Sequence, residues 1–174
     1  MTVRAPRLRR VVLTVHIIGS VGWIGAAAAY LALGAAAGAA RDAETVRAAW
    51  IAMELTGWFV IVPLAMSALI TGVVLSVATS WGLLRHYWVV VSLALTALSL
   101  GVVLLHMPTV SAMAETARGS DDADVFQLGG EVIHPVLGLV VLTVITALNV
   151  HKPRGLTPYG VRKQAQLRAE PVGR

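Results

Sequence analysis

Charge is segregated along this chain more sharply than any other property. Four long apolar stretches divide the sequence into five polar pieces, and these alternate in sign. Arg4, Arg7, Arg9 and Arg10, then Arg85, then the six Lys and Arg beyond His151 make eleven of the fourteen basic residues. The two intervening pieces hold eight of the nine acids: Asp42, Glu44 and Glu54, then Glu115, Asp121, Asp122, Asp124 and Glu131. Lys and Arg are retained on the cytoplasmic side of a membrane, so the alternation gives span count and orientation together. The expectation is an all-α, integral membrane four-helix antiparallel bundle in a bacterial cytoplasmic (inner) membrane, with both termini cytoplasmic.

The stretches run from about Val11 to Ala36, Gly57 to Thr79, Trp88 to Met107 and Val132 to Val150. Each approaches or exceeds the roughly 20 apolar residues that cross a hydrocarbon core of about 30 Å. A cleaved secretory signal is the rival reading of the first, but its apolar part is too long for a signal core. With 57% apolar and 13% charged residues, a soluble domain of ordinary composition is excluded. A net charge of +5 does not point to nucleic acid here, because the basic excess is juxtamembrane and meets lipid headgroups instead. The absence of cysteine excludes disulfides, Fe–S clusters and thiol catalysis.

In hydrocarbon every backbone polar group must be paired within the segment, so the four runs are helices. Residues 1–151 form one bundle and 152–174 a basic cytoplasmic tail, broken by Pro153 and Pro158 and expected to be loosely ordered. The turn Ser80 to Tyr87 makes the second and third helices close neighbours. Pro63 is expected to kink the second, with Ser67 and Thr71 able to pair freed carbonyls or to bond across helices. Ala37 to Thr56 should extend a helix beyond the membrane, with Trp50 and Trp58 at interfacial depth. Pro108 opens the connection to Glu131, in which Thr109 to Arg118 is helix-compatible and Gly119-Ser120-Asp121-Asp122 marks a turn.

No acid or base interrupts the middle of a span, which argues against a charge-lined ion pathway. Catalytic signatures such as His-Glu-x-x-His and Gly-x-Ser-x-Gly are absent, and Asp121, Asp122 and Asp124 suit a solvated loop better than a calcium site. The five histidines carry the chemistry instead. His86 and His151 fall at the cytoplasmic boundary and His16 lies inside the first helix. His106 ends the third span and His134 begins the fourth, so antiparallel helices bring them to one depth. Glu131, three residues before His134, shares its face and serves as a further ligand or orients an imidazole. Two neutral imidazoles suit haem iron, copper or zinc, with Met107 and Met113 as added soft ligands for copper(I). The opposing reading makes both histidines ordinary interfacial residues. His86 and His106 lie about 160° apart around a helix and roughly 30 Å apart along it, so a two-haem relay is not supported.

His16, Gly19 and Trp23 share a face, and Gly19, Gly22 and Gly25 suit either a flat ligand or close helix packing. This His16-x-x-Gly19-x-x-x-Trp23-x-Gly25 pattern is similar to the opening helix of copper-resistance protein D and of the membrane-bound, haem-containing protoporphyrinogen oxidases. That resemblance implies a haem or substrate role for His16. The oxidases' lysine early in the third helix has no counterpart here, where Trp88 to Leu95 holds Ser92. Across most of its length the chain resembles an uncharacterised four-span actinobacterial membrane family, through Trp81-Gly82-Leu83-Leu84-Arg85-His86-Tyr87-Trp88, Leu105-His106-Met107-Pro108 and Lys152-Pro153-Arg154-Gly155-Leu156-Thr157.

The expected function is binding of a b-type haem, or of copper or zinc, in electron transfer or redox sensing. His106, His134 and Glu131 form the leading site and His16 a second one towards the opposite face; no catalytic residue is assigned. The alternatives are a non-catalytic scaffold, bound to a membrane partner or to further copies of itself, and a copper or small-solute carrier.

Overall fold

The computed structural model describes residues 6–79 and 82–169. Its elements are α1 (Pro6–Ala39), α2 (Ala43–Thr56), a π turn (Gly57–Ile61), α3 (Val62–Ala78), α4 (Tyr87–Gly119), α5 (Asp122–Gln127), α6 (Ile133–His151) and α7 (Pro158–Ala169). Four helices are long and apolar enough to cross a membrane: α1, the continuous run Ala43–Ala78, α4 and α6. Around the bundle α1 packs on α3, α3 on α4, α4 on α6 and α6 back on α1, which closes the ring.

The buried stripe of α1 is Gly19, Trp23, Ala27, Tyr30, Gly34 and Ala37, spaced by three or four residues throughout. Large apolar side chains such as Ile17, Ile18, Val21 and Leu105 point outward instead, as they should where the surrounding solvent is lipid. Pro63 does not itself break the second span. The disruption lies just before it, where the Val62 N–H reaches back five residues to Gly57 in the π turn. That wider turn relieves the crowding that Pro63 imposes on the preceding backbone. Farther along, Thr71 Oγ1 donates to the Ser67 carbonyl at 2.6 Å and meets His16 Nδ1 of α1 at 2.9 Å, so this hydroxyl bonds across helices and does not re-pair a carbonyl freed by Pro63.

Three helices overrun the bilayer and build a headpiece at the acidic end. The third span does not stop at Met107: α4 runs straight through Pro108 to Gly119. Proline removes one backbone bond there, but Val110, Ala114 and Ala117 beyond it are fully buried against α2, and that burial holds the helix together. Val46, Met53, Val110 and Val125 are the largest fully buried side chains of the described residues, and they belong to α2, α4 and α5. Asp42 caps α2 by accepting the Thr45 N–H at 2.7 Å. The Arg47 guanidinium donates to the carbonyls of Ala117 and Ser120 and pairs with Asp122 at 3.3 Å; Arg118 pairs with Glu54 and Glu115. Trp50 is buried in this headpiece, its indole N–H on the Gly129 carbonyl at 3.1 Å, rather than placed in an interfacial belt. Trp58 is half-exposed and bonds Ser111.

The tail also departs from expectation, because residues 158–169 are helical and docked. Lys152 in a left-handed turn (φ 45°) ends α6. The chain then pairs with the turn before α4, Tyr87 N–H to the Gly155 carbonyl and Thr157 N–H to that of Arg85. Thr157 caps α7, accepting the Gly160 N–H at 3.0 Å while its hydroxyl donates to the Leu84 carbonyl. A threonine followed by proline is a helix-start signal, Thr as cap and Pro in the first turn, that loop composition obscures.

Candidate metal site at the acidic end

Two glycines and a left-handed turn place Glu131. The connection from α5 to α6 bends at Gly129 (φ 58°) and crosses α1 where that helix carries Gly34 and Gly38. A Cβ on Gly34 would overlap the Glu131 carbonyl, and one on Gly130 would overlap the Gly34 backbone. Only bare backbone lets the strap lie this close, the packing device that small residues four positions apart provide between membrane helices.

Glu131 so placed starts α6. Its Oε1 accepts the His134 backbone N–H at 3.2 Å and the His134 Nδ1–H at 3.0 Å. One carboxylate therefore satisfies an orphan donor of the helix start and fixes the tautomer of the ring, leaving His134 Nε2 with its lone pair. Glu131 Oε2 lies 3.6 Å from His106 Nε2, a buried nitrogen with no hydrogen-bond partner among the described residues. The imidazoles of His106 and His134 stack, with centroids 3.8 Å apart and planes 23° from parallel. Donor atoms of His106, Glu131 and His134 all lie within 4.8 Å of one another. Two imidazoles and a carboxylate, half sheltered from water, are the donor set of a zinc or copper(II) ion.

The structure thus brings together the three residues that the sequence pairs by depth and face. It keeps His16 apart. That ring sits beside α3, its Nδ1 2.9 Å from Thr71 Oγ1 and 3.1 Å from the Ala68 carbonyl, with Gly19 against Ser67. Close helix packing on α3 is what Gly19 and Gly22 provide here, while Gly25 is exposed and packs on nothing. His151 Nδ1 donates to the Ala147 carbonyl, and His86 pairs through its backbone with Leu156. Met107 packs on Gly57 and lines a cavity together with His106 and His134, and Met113 lies against the headpiece core. Asp121 and Asp122 are used structurally, as the α5 cap and the Arg47 partner.

Sequence reading missed Tyr30. It is 5% exposed, and its hydroxyl has no hydrogen-bond partner among the described residues. It lies within electrostatic reach of Glu131 and lines an apolar cavity of about 250 Å³ with Trp23, Met107, His106 and His134. The available signal was its spacing: a lone tyrosine after four alanines, seven residues past Trp23 and four before Gly34 on one face.

No curated protein and no solved structure matches the chain. A family profile described as predicted integral membrane protein (DUF2269) matches residues 10–153, from the second turn of α1 to just past α6, and so takes in all four apolar helices and the whole His–Glu cluster. By that match and by its architecture, this chain is an integral membrane protein belonging to the DUF2269 family.

Proposed function

We propose that the protein binds a single transition-metal ion, of the zinc or copper class, through His106, Glu131 and His134. The observation that carries this reading is the convergence of those three side chains, donors within 4.8 Å, from two different helices and the strap between them. Bonds of about 2 Å to N and O donors close that spacing with small ring rotations. A haem fits the geometry less well. Axial imidazoles point at iron from opposite faces of a porphyrin, whereas rings stacked at 3.8 Å leave no macrocycle between them. His16, on which the likeness to copper-resistance protein D and the oxidases rests, is occupied by α3.

The charge alternation supports an acidic end facing away from the cytoplasm, in a bacterial inner membrane, with the ion at the outer boundary. Copper there would serve electron transfer or redox sensing; zinc would hold the α4–α6 junction together.

The test is elemental analysis of protein purified in mild detergent after zinc or copper loading. Near-stoichiometric metal is expected in the wild type and in His16→Ala, with loss in His106→Ala, His134→Ala and Glu131→Gln. Metal-free wild type, or metal kept by all three site variants, sinks the proposal. A Soret band lost in His106→Ala would replace the ion with haem, and colourless, metal-free protein would leave a scaffold.

A further inference from the structure

The cavity beside the cluster has apolar walls, an unpaired tyrosine hydroxyl and a side door. Its lining is almost wholly apolar, from α1, α4 and α6. Leu98 and Val102 on α4 and Leu137 on α6 form the rim and are 64%, 47% and 59% exposed, so the mouth opens sideways between two spans. A ligand reaching it arrives through the bilayer. Inside, two buried polar atoms of the lining have no hydrogen-bond partner among the described residues, the Tyr30 hydroxyl and His106 Nε2; the second faces Glu131 at 3.6 Å, which leaves the Tyr30 hydroxyl as the donor open to a ligand. Leaving such a group unpaired in a dry site is costly, and an acceptor oxygen on a ligand would remove that cost.

We infer that this cavity takes the ring of a lipid-soluble quinone or quinol, with a ring oxygen on Tyr30 and the prenyl tail leaving between α4 and α6. Three features select that chemistry over other lipids. Trp23, Tyr30 and the His106 imidazole offer aromatic surface for a planar ring. No Lys or Arg lines the cavity and Glu131 stands beside it, an arrangement that repels a phosphate headgroup. The polar contact sits at the acidic end and the apolar walls run away from it, matching a compact head on a hydrocarbon tail. The inference goes beyond the metal site and stands with or without an ion there.

The experiment titrates menaquinone-4 into the purified full-length protein in mild detergent, following tryptophan quenching and calorimetry. Gly138 lines the cavity, and a Cβ there meets nothing within 4 Å, so the backbone admits a side chain and Gly138→Leu takes up cavity space. Gly101 is equally open but lies outside the lining, which makes Gly101→Leu the matched control. Binding should fall at least tenfold in Gly138→Leu and about fivefold in Tyr30→Phe, and stay unchanged in Gly101→Leu. Zinc content should be the same in all three. No binding to wild type, equal binding in Gly138→Leu and Tyr30→Phe, equal loss in Gly101→Leu, or equal competition by diacylglycerol or phospholipid each overturns the inference. Quinone bound by metal-free wild type would sink the metal reading alone, and metal without quinone this one alone.

Discussion

The α-carbon of Gly34 lies directly beneath the carbonyl of Glu131, closer than any side chain would allow. Through that contact α1, which supplies no histidine or carboxylate to the cluster, sets the position of its central residue.

Gly34→Ala should therefore act on the site from a distance. The new methyl must push the 129–131 strap away, an overpacking cost of about 1–3 kcal/mol. Bound zinc should fall roughly tenfold with no ligand changed. Gly25→Ala, whose Cβ meets nothing within 4 Å, and Gly38→Ala, whose nearest atom stands at 3.5 Å, should keep both stability and metal. Thermal unfolding in detergent with parallel metal analysis checks the contrast; equal behaviour of all three would remove the role given to Gly34.

Arg47 holds the headpiece by donating to two carbonyls at the end of α4 and pairing with Asp122. Its two carbonyl contacts require a planar fork. Arg47→Ala should cost roughly 2 kcal/mol, the scale of hydrogen bonds from a charged donor, and Arg47→Lys should recover less than half. Because the headpiece is distinct from the spans, hydrogen exchange should rise at 116–120 first. Uniform exchange across α4 would argue against a separate unit.

Thr157 tests the docked tail. Thr157→Val removes the α7 cap and the bond to Leu84, a loss of about 1 kcal/mol in local stability. Trypsin cleavage at Arg162 and Lys163 should quicken about fivefold, following the open population. Metal content should not change, since α7 lies at the basic end. Unaltered proteolysis would mean that Thr157 is not what holds α7.

What could be read beforehand follows the physics of each feature. Span count and the pairing of His106 with His134 were legible because both are one-dimensional: apolar length sets the first, and equal distance from the turn sets the second. Glu131 was legible because i, i+3 spacing on a helix fixes a face. Tyr30 and Gly34 were not, because their importance arises from a strap nearly a hundred residues away in the chain. The continuation of α4 through Pro108 was hidden for a related reason. Local rules stop a helix at proline, and the burial that outweighs them comes from α2. Trp50 looked interfacial by composition, but its surroundings are α5 and the Gly129 turn, which hydropathy does not encode. The α7 cap, by contrast, was written in Thr157-Pro158 and was outweighed by the prolines around it.

Among the four spans α6 alone has no overhang: its 19 residues measure about 28 Å, close to the hydrocarbon thickness itself, while the others exceed it by nearly twenty ångströms. It is the ruler of the molecule. A membrane that thickens or thins is met first at the two ends of this helix, and one of those ends is Ile133–His134. The His–Glu cluster thus sits where the protein feels the depth of its bilayer, and lipid composition becomes a variable of the site itself.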